Sequence, residues 1–304
     1  MPKTSKTSKS KSVQMKEDIQ AVPVAEWDWS RVVYSKPIQK ETQDGSGNFR
    51  RVKIQYMYDD HTIGPAIVSL QRHFSYGVQA DNVDKDGNVK KDSMNNPVPL
   101  KNYQVPIVMS NLKDDNPVIT DEEQMEIDFL DQFREEVTRY AIENKKLIGQ
   151  GAKKDAHIEA AISNILWRKT LPSGDYDESK SPVFYTKLKY FAKSNVCHTP
   201  FYGPGDTEMD PLKVKGSFKI TANIHFDNIF INSKTIALQH RIYDATIEPN
   251  TSGPQKRLAK KNTLPLADGS DDEDGDGDVG VVPETPAGNR MESDSDDDDD
   301  DFSV

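Results

Sequence analysis

In FYTKLKYF (184–191), rings and cations alternate with a period of two. Tyr185, Lys187, Lys189 and Phe191 fall on one face of an extended strand, and Phe184, Leu188 and Tyr190 on the other. The same mixture recurs twice upstream. Arg50, Arg51 and Lys53 stand beside Tyr56 and Tyr58, and Arg72, His73, Phe74 and Tyr76 are crowded into five positions. Phe201 and Tyr202, in HTPFYGPG (198–205), are expected on a loop. Rings interleaved with cations suit one chemistry: the cations follow a phosphate backbone while the rings stack under unpaired bases, each stack contributing roughly 1–3 kcal/mol. The plainer alternative is that half of these rings are core and the cations an ordinary solvated face.

Groups that make or break covalent bonds are harder to find. There is no phosphate-cradling glycine loop, no His-Glu-x-x-His helix and no nucleophile elbow. NVDKDGN (82–88) has the aspartates of a calcium loop, but Ser93 occupies the place of its closing glutamate, so it reads as a turn. Cys197 and His198 form a pair without further ligands. The chain is therefore expected not to be an enzyme, and to need neither cofactor nor metal.

Charge is divided sharply along the 304 residues. The whole chain carries a net −11. Residues 268–304 hold sixteen acidic side chains and one basic, a local −15 that leaves the rest at +4. The ending, SDSDDDDDDFSV, places Asp296, Asp297, Asp298, Asp299, Asp300 and Asp301 directly before Phe302. A like-charge block of this density is expected to stay disordered and to act as an interaction or masking segment.

Three regions follow. Residues 1–20 are expected to be a disordered basic arm of Lys, Ser and Thr, without the apolar stretch of a signal peptide. Residues 21–248 should form the folded body. Residues 249–304 should be a disordered linker and the acidic tail. Apolar runs are too short to span a bilayer, so no membrane partner is expected. One cysteine, Cys197, rules out an intramolecular disulfide and fits a reducing intracellular compartment.

The elements that must position these residues are mostly strands. Residues 49–60, 65–79, 103–112, 181–193, 214–231 and 234–248 alternate or are rich in β-formers, and Pro106 suits an edge or bulge. INSK (231–234) reads as a tight hairpin turn. Between them, Thr120 and Glu123 are spaced as a capping box for an amphipathic helix that Gly149 closes. A second helix is predicted over about 153–168, before Pro172. This order predicts an α+β, mainly β protein: a small Greek-key barrel with an inserted helical layer and disordered termini.

Two resemblances bear on function. DDDDDDFSV resembles the acidic tails, closed by an aromatic, of bacterial and phage replicative single-stranded DNA-binding proteins. Here Phe302 is followed by Ser303 and Val304, which departs from a terminal aromatic. PAIVSLQRHFSYGVQ, the acidic helix, SPVFYTKLKYF and SKTIALQHRIYDATI, taken in order, are similar to the single-stranded DNA-binding proteins of nucleocytoplasmic large DNA viruses. That resemblance implies an OB fold, single-stranded DNA as ligand, and replication, recombination or repair as the setting. The tail resemblance implies replication proteins as partners of Asp296–Asp301 and Phe302, and a viral origin would imply a host nucleus or viral replication site as the location. Homo-oligomerisation is left open. The DNA-contacting set is then Arg50, Arg51, Lys53, Tyr56, Arg72, Phe74, Tyr185, Lys187, Lys189, Phe201 and Tyr202. A rival reading makes the chain an acidic histone-chaperone-like or virion structural protein, whose tail sequesters basic proteins.

Overall fold

The computed structural model describes residues 20–41, 47–59, 61–84, 88–110 and 119–249. The expectations for the basic arm fall outside them, as do those for nearly all of the linker and the acidic tail.

The protein is mainly β, with one long helix. Five strands close into a barrel: β2 (Ile63–Ser75), β3 (Tyr103–Val108), β5 (Val183–Lys187), β9 (Phe218–Ile231) and β10 (Ile236–Pro249). β1 (Asn48–Met57) and β4 (Leu166–Trp167) lie outside this ring. Around the ring the order is β2–β3–β5–β10–β9, returning to β2. Every ring contact is antiparallel except β5 with β10, where Lys187 lies opposite Arg241 in parallel register. The third and fifth barrel strands run parallel and the fourth returns to the first, which is the connectivity of an OB-type Greek-key barrel.

Alternation explains the long strands. On β9, Phe218, Ile220, Ala222, Ile224 and Phe226 are buried, while Lys219, Thr221, Asn223 and His225 form the outer phase. A register shift at Asp227 lets Ile229 and Ile231 resume the inward phase. The β9–β10 turn is an Asx turn: the side-chain oxygen of Asn232 accepts from the backbone N–H of Lys234 at 2.8 Å and of Thr235 at 2.7 Å. β1 extends the sheet beside the second half of β9 and buries Val52, Ile54 and Tyr56.

In sequence, the helical layer falls between β3 and β5. α1 (Asp121–Glu143) starts with the full capping box, Thr120 and Glu123 each bonding the other's backbone. Its buried stripe of Ile127, Leu130, Phe133 and Val137 joins the barrel core. The Phe133 ring stacks on Phe226 at 4.2 Å, and Trp29 stacks on Phe129 at 5.2 Å. Glu126 is also buried on this face; it accepts from the backbone N–H of Gln71 at 2.6 Å and pairs with the His73 ring. The second helix, α2 (Asp155–Ala161), is shorter than its apolar residues predicted. Ile162 turns extended to pair with Ile236, and Leu166 joins β4 against Phe184. Barrel packing there outweighs helical periodicity.

Candidate nucleic-acid interface

The outer face of the third barrel strand carries the alternating motif. On β5, Phe184 and Thr186 point into the barrel and are fully buried, which leaves Tyr185 and Lys187 outside. The chain continues into a small hairpin, β6 (Tyr190–Phe191) with β7 (Val196–Cys197). That hairpin carries the motif outward through Lys189 and Phe191. The Lys189 ammonium lies 6.0 Å from the Phe191 ring centroid, and His198 meets that ring edge-on at 4.9 Å.

Other rings converge from β2. Phe74 is on the outer phase, and Tyr76 meets it edge-on at 5.2 Å. The Lys219 ammonium lies 5.6 Å from the Phe74 centroid. Burial raises the phenolic pKa of both Tyr76 and Tyr185, and Tyr76 adds to the shift at Tyr185. Both hydroxyls therefore stay protonated donors throughout the neutral range.

The cations form a cross-strand row. Register aligns Gln104 with Lys187, Lys187 with Arg241, and Arg241 with His225 across β3, β5, β10 and β9. Lys187 is half-buried, and burial pulls its pKa below that of an ordinary lysine; Asp81 opposes the shift and Lys101 adds to it. Asp81 in turn accepts from the backbone N–H of Lys101 and of Asn102, at 3.2 and 3.0 Å, which fixes the β2–β3 loop beside Lys187. Arg241 donates to Asp227 at 2.8 Å. Lys53 is exposed on β1, opposite Asn228.

The structure thus gathers Lys53, Phe74, Tyr185, Lys187 and Lys189 on the outside of the barrel. Arg72 is also outside, but its guanidinium is engaged with both oxygens of Glu248, at 2.9 and 2.5 Å. Tyr202 is half-buried on β8 (Phe201–Gly203), and lies in one cross-strand row with Thr246, Thr221 and Arg72. The expected loop at 201–202 is therefore a strand.

Four expected contacts lie elsewhere. Tyr56 is core: its ring packs 4.4 Å from Trp27 and its hydroxyl accepts from the Asp28 N–H. Phe201 is core too, fully buried beside Phe218. Replacing Phe201 with alanine should cost about 3–5 kcal/mol of stability, read by urea denaturation, and leave oligonucleotide affinity per folded molecule unchanged. Arg50 turns toward the helical layer, donating to the Leu147 carbonyl at 3.3 Å and to Gln39 at 3.4 Å. Gly149 makes room for it, with φ of +77° and a Cβ position only 2.0 Å from the Arg50 guanidinium. Arg51 is half-buried, its guanidinium 5.3 Å from the Phe49 ring centroid.

Sequence reasoning missed His225 and Arg241 as members of the strip. Both sit in the polar phase of their strands, so the signal was present, but their adjacency depends on register across a bulge. Among the described residues, no three His, Cys, Asp or Glu side chains converge as metal ligands, and no helix is long and apolar enough to cross a membrane.

No curated protein matches this chain in sequence. Among solved structures, it is similar to gp2.5, a single-stranded DNA-binding protein encoded by bacteriophage T7. The match has 11% identity, covers 67% of this chain and 100% of that one, and has a TM-score of 0.35. A family model described as a protein of unknown function, DUF2738, matches residues 25–280, and the chain belongs to that family.

Proposed function

We propose that this protein binds single-stranded DNA with little sequence preference and acts in DNA replication, recombination or repair. The observation that carries the reading is the strip on the outer barrel face, where Tyr185, Phe74, Tyr76 and Phe191 interleave with Lys187, Lys189 and Arg241. OB barrels bind oligonucleotides on the face of their second and third strands. Here the third strand holds the centre of the strip. Rings stack on any base, and cations on a curved sheet follow the backbone without reading sequence.

The acidic tail, residues 268–304, completes the proposal. Its −15 charge is tethered to a mildly basic body. A tethered segment acts at an effective concentration that reaches the millimolar range, so it competes with DNA for the strip even when its intrinsic affinity is weak. Phe302 then gives replication partners an apolar anchor beside six aspartates.

A competition assay tests this reading. Labelled oligo-dT should bind the full chain and be displaced by unlabelled single strands far better than by duplex. Deleting 268–304 should tighten oligo-dT binding at low salt and lose that advantage at high salt, because exposed charges are screened beyond about 8 Å near physiological ionic strength. Binding of free histones with no binding of oligo-dT would favour the basic-protein-sequestering alternative.

A further inference from the structure

One part of the strip has an unbalanced charge. His225 on β9 faces Arg241 on β10 in direct register, and Asp227, two residues along β9, bonds the Arg241 guanidinium at 2.8 Å. Lys53 approaches from β1, opposite Asn228. Lys189 approaches from the hairpin, two residues beyond Lys187, which itself pairs with Arg241. Arg241 faces the histidine directly, Lys189 and Lys53 lie within electrostatic reach of it, and Asp227 is the carboxylate that opposes them. Arg241 and Asp227 are each only about a quarter exposed, at 24% and 25% of their side-chain area. Among the described residues, neither the Lys53 nor the Lys189 ammonium has a carboxylate partner.

A surplus of about two positive charges beside this half-buried ion pair attracts an anion. Burial chiefly, and the Arg241, Lys189 and Lys53 charges after it, hold His225 neutral, with a pKa lowered to about 4 against the opposing pull of Asp227. A phosphate entering the cluster would screen those cations and accept from the imidazole. The phosphate's negative charge would then oppose the burial that holds His225 neutral and raise the imidazole pKa.

Resting on the single-strand reading, we propose that Lys53, Lys189, Arg241 and His225 clamp one backbone phosphate of the bound strand, with His225 taking up a proton as the phosphate enters. Proton uptake on binding means that affinity must rise as pH falls. The clamp lies beside the stacking row, where the backbone would pass while bases turn toward Tyr185.

The test compares full-length wild type, His225→Gln, and Lys53→Gln/Lys189→Gln, after each is shown to keep its melting temperature. Between about pH 7.5 and about pH 5.5, wild-type affinity for oligo-dT should rise about three- to five-fold more than that of His225→Gln. The double lysine variant should bind more weakly, with a salt slope shallower by about 0.7 for the one lost phosphate contact. Pyrophosphate alone should move the His225 imidazole titration upward, read by NMR. Oligo-dT binding with identical pH dependence in wild type and His225→Gln would overturn the clamp and leave the single-strand reading standing. If oligo-dT does not bind at all, the single-strand reading fails first. A pyrophosphate-insensitive His225 titration then removes the anion site as well, whereas a shifted one would mark a site for free phosphate and overturn its assignment to a strand backbone.

Discussion

Replacing Glu126 with alanine should lower the free energy of unfolding by about 3–5 kcal/mol, measured by urea denaturation. Glu126 is 2% exposed on the first turns of α1, and its two oxygens serve two partners on β2. One accepts the Gln71 backbone N–H at 2.6 Å, and the other meets the His73 ring. Both contacts fall where β2 slips register against β9, between Thr221 and Asn223. The bulge frees the Gln71 N–H from the ladder, and Glu126 satisfies it. Alanine would strand a partly buried amide and a buried imidazole together. Glu126→Gln keeps an acceptor for the amide and should lose only about half as much. A loss below about 1 kcal/mol in the alanine variant would show that this pair does not fasten helix to barrel. Oligonucleotide affinity per folded molecule should not change, since the pair lies on the opposite side of the barrel wall from the strip.

Tyr185→Ala should produce the largest loss of binding among single ring replacements. The expected change is a weakening of oligo-dT affinity by about 1–3 kcal/mol, or roughly 5- to 150-fold. Tyr185 occupies the outer phase of the third barrel strand, beside Lys187 and within electrostatic reach of Tyr76. Its half-buried ring lies outside the hydrophobic core cluster, so the melting temperature should move by only a few degrees. Tyr185→Phe keeps the ring and should retain most of the affinity. A large drop in stability with unaltered affinity per folded molecule would place this ring with Phe201, as packing.

The contrast between Tyr185 and Phe201 shows what a sequence discloses about such a face. In FYTKLKYF the alternation runs long enough to fix the phase, and the structure keeps it: Phe184 and Leu188 inside, Tyr185, Lys187 and Lys189 outside. Around Phe201 and Tyr202 only three residues are extended, flanked by Pro200 and Pro204, so no period marks which ring points inward. Tyr56 is legible from its strand phase. It shares a phase with Val52 and Ile54, and that phase is the buried one. The start of α1 followed from a capping box and an acidic first turn, which are local signals, whereas the helix ends at Glu143 and only turns reach the expected stop at Gly149. Closure of the barrel was not local. The β5–β10 contact rests on one parallel pair, Lys187 with Arg241, separated by 54 positions in the chain. The alignment of Arg241 with His225 needs the register shift at Asn223 as well. Strand existence is written in period-two patterns, whereas which strands become neighbours is decided by packing around Phe226 and Phe133.

The most direct measurement is an equilibrium titration of the full chain with oligo-dT across a series of salt concentrations. Each phosphate contacted on a single strand contributes a slope of about −0.7 to the plot of log affinity against log salt. With Lys53, Lys189 and Arg241 sharing one phosphate and Lys187 on another, the strip should give a slope of about −1.4 or steeper, with affinity unaffected by changing the base sequence within a few-fold. No binding of oligo-dT at low salt, or an affinity unchanged between low and moderate salt, would contradict the account.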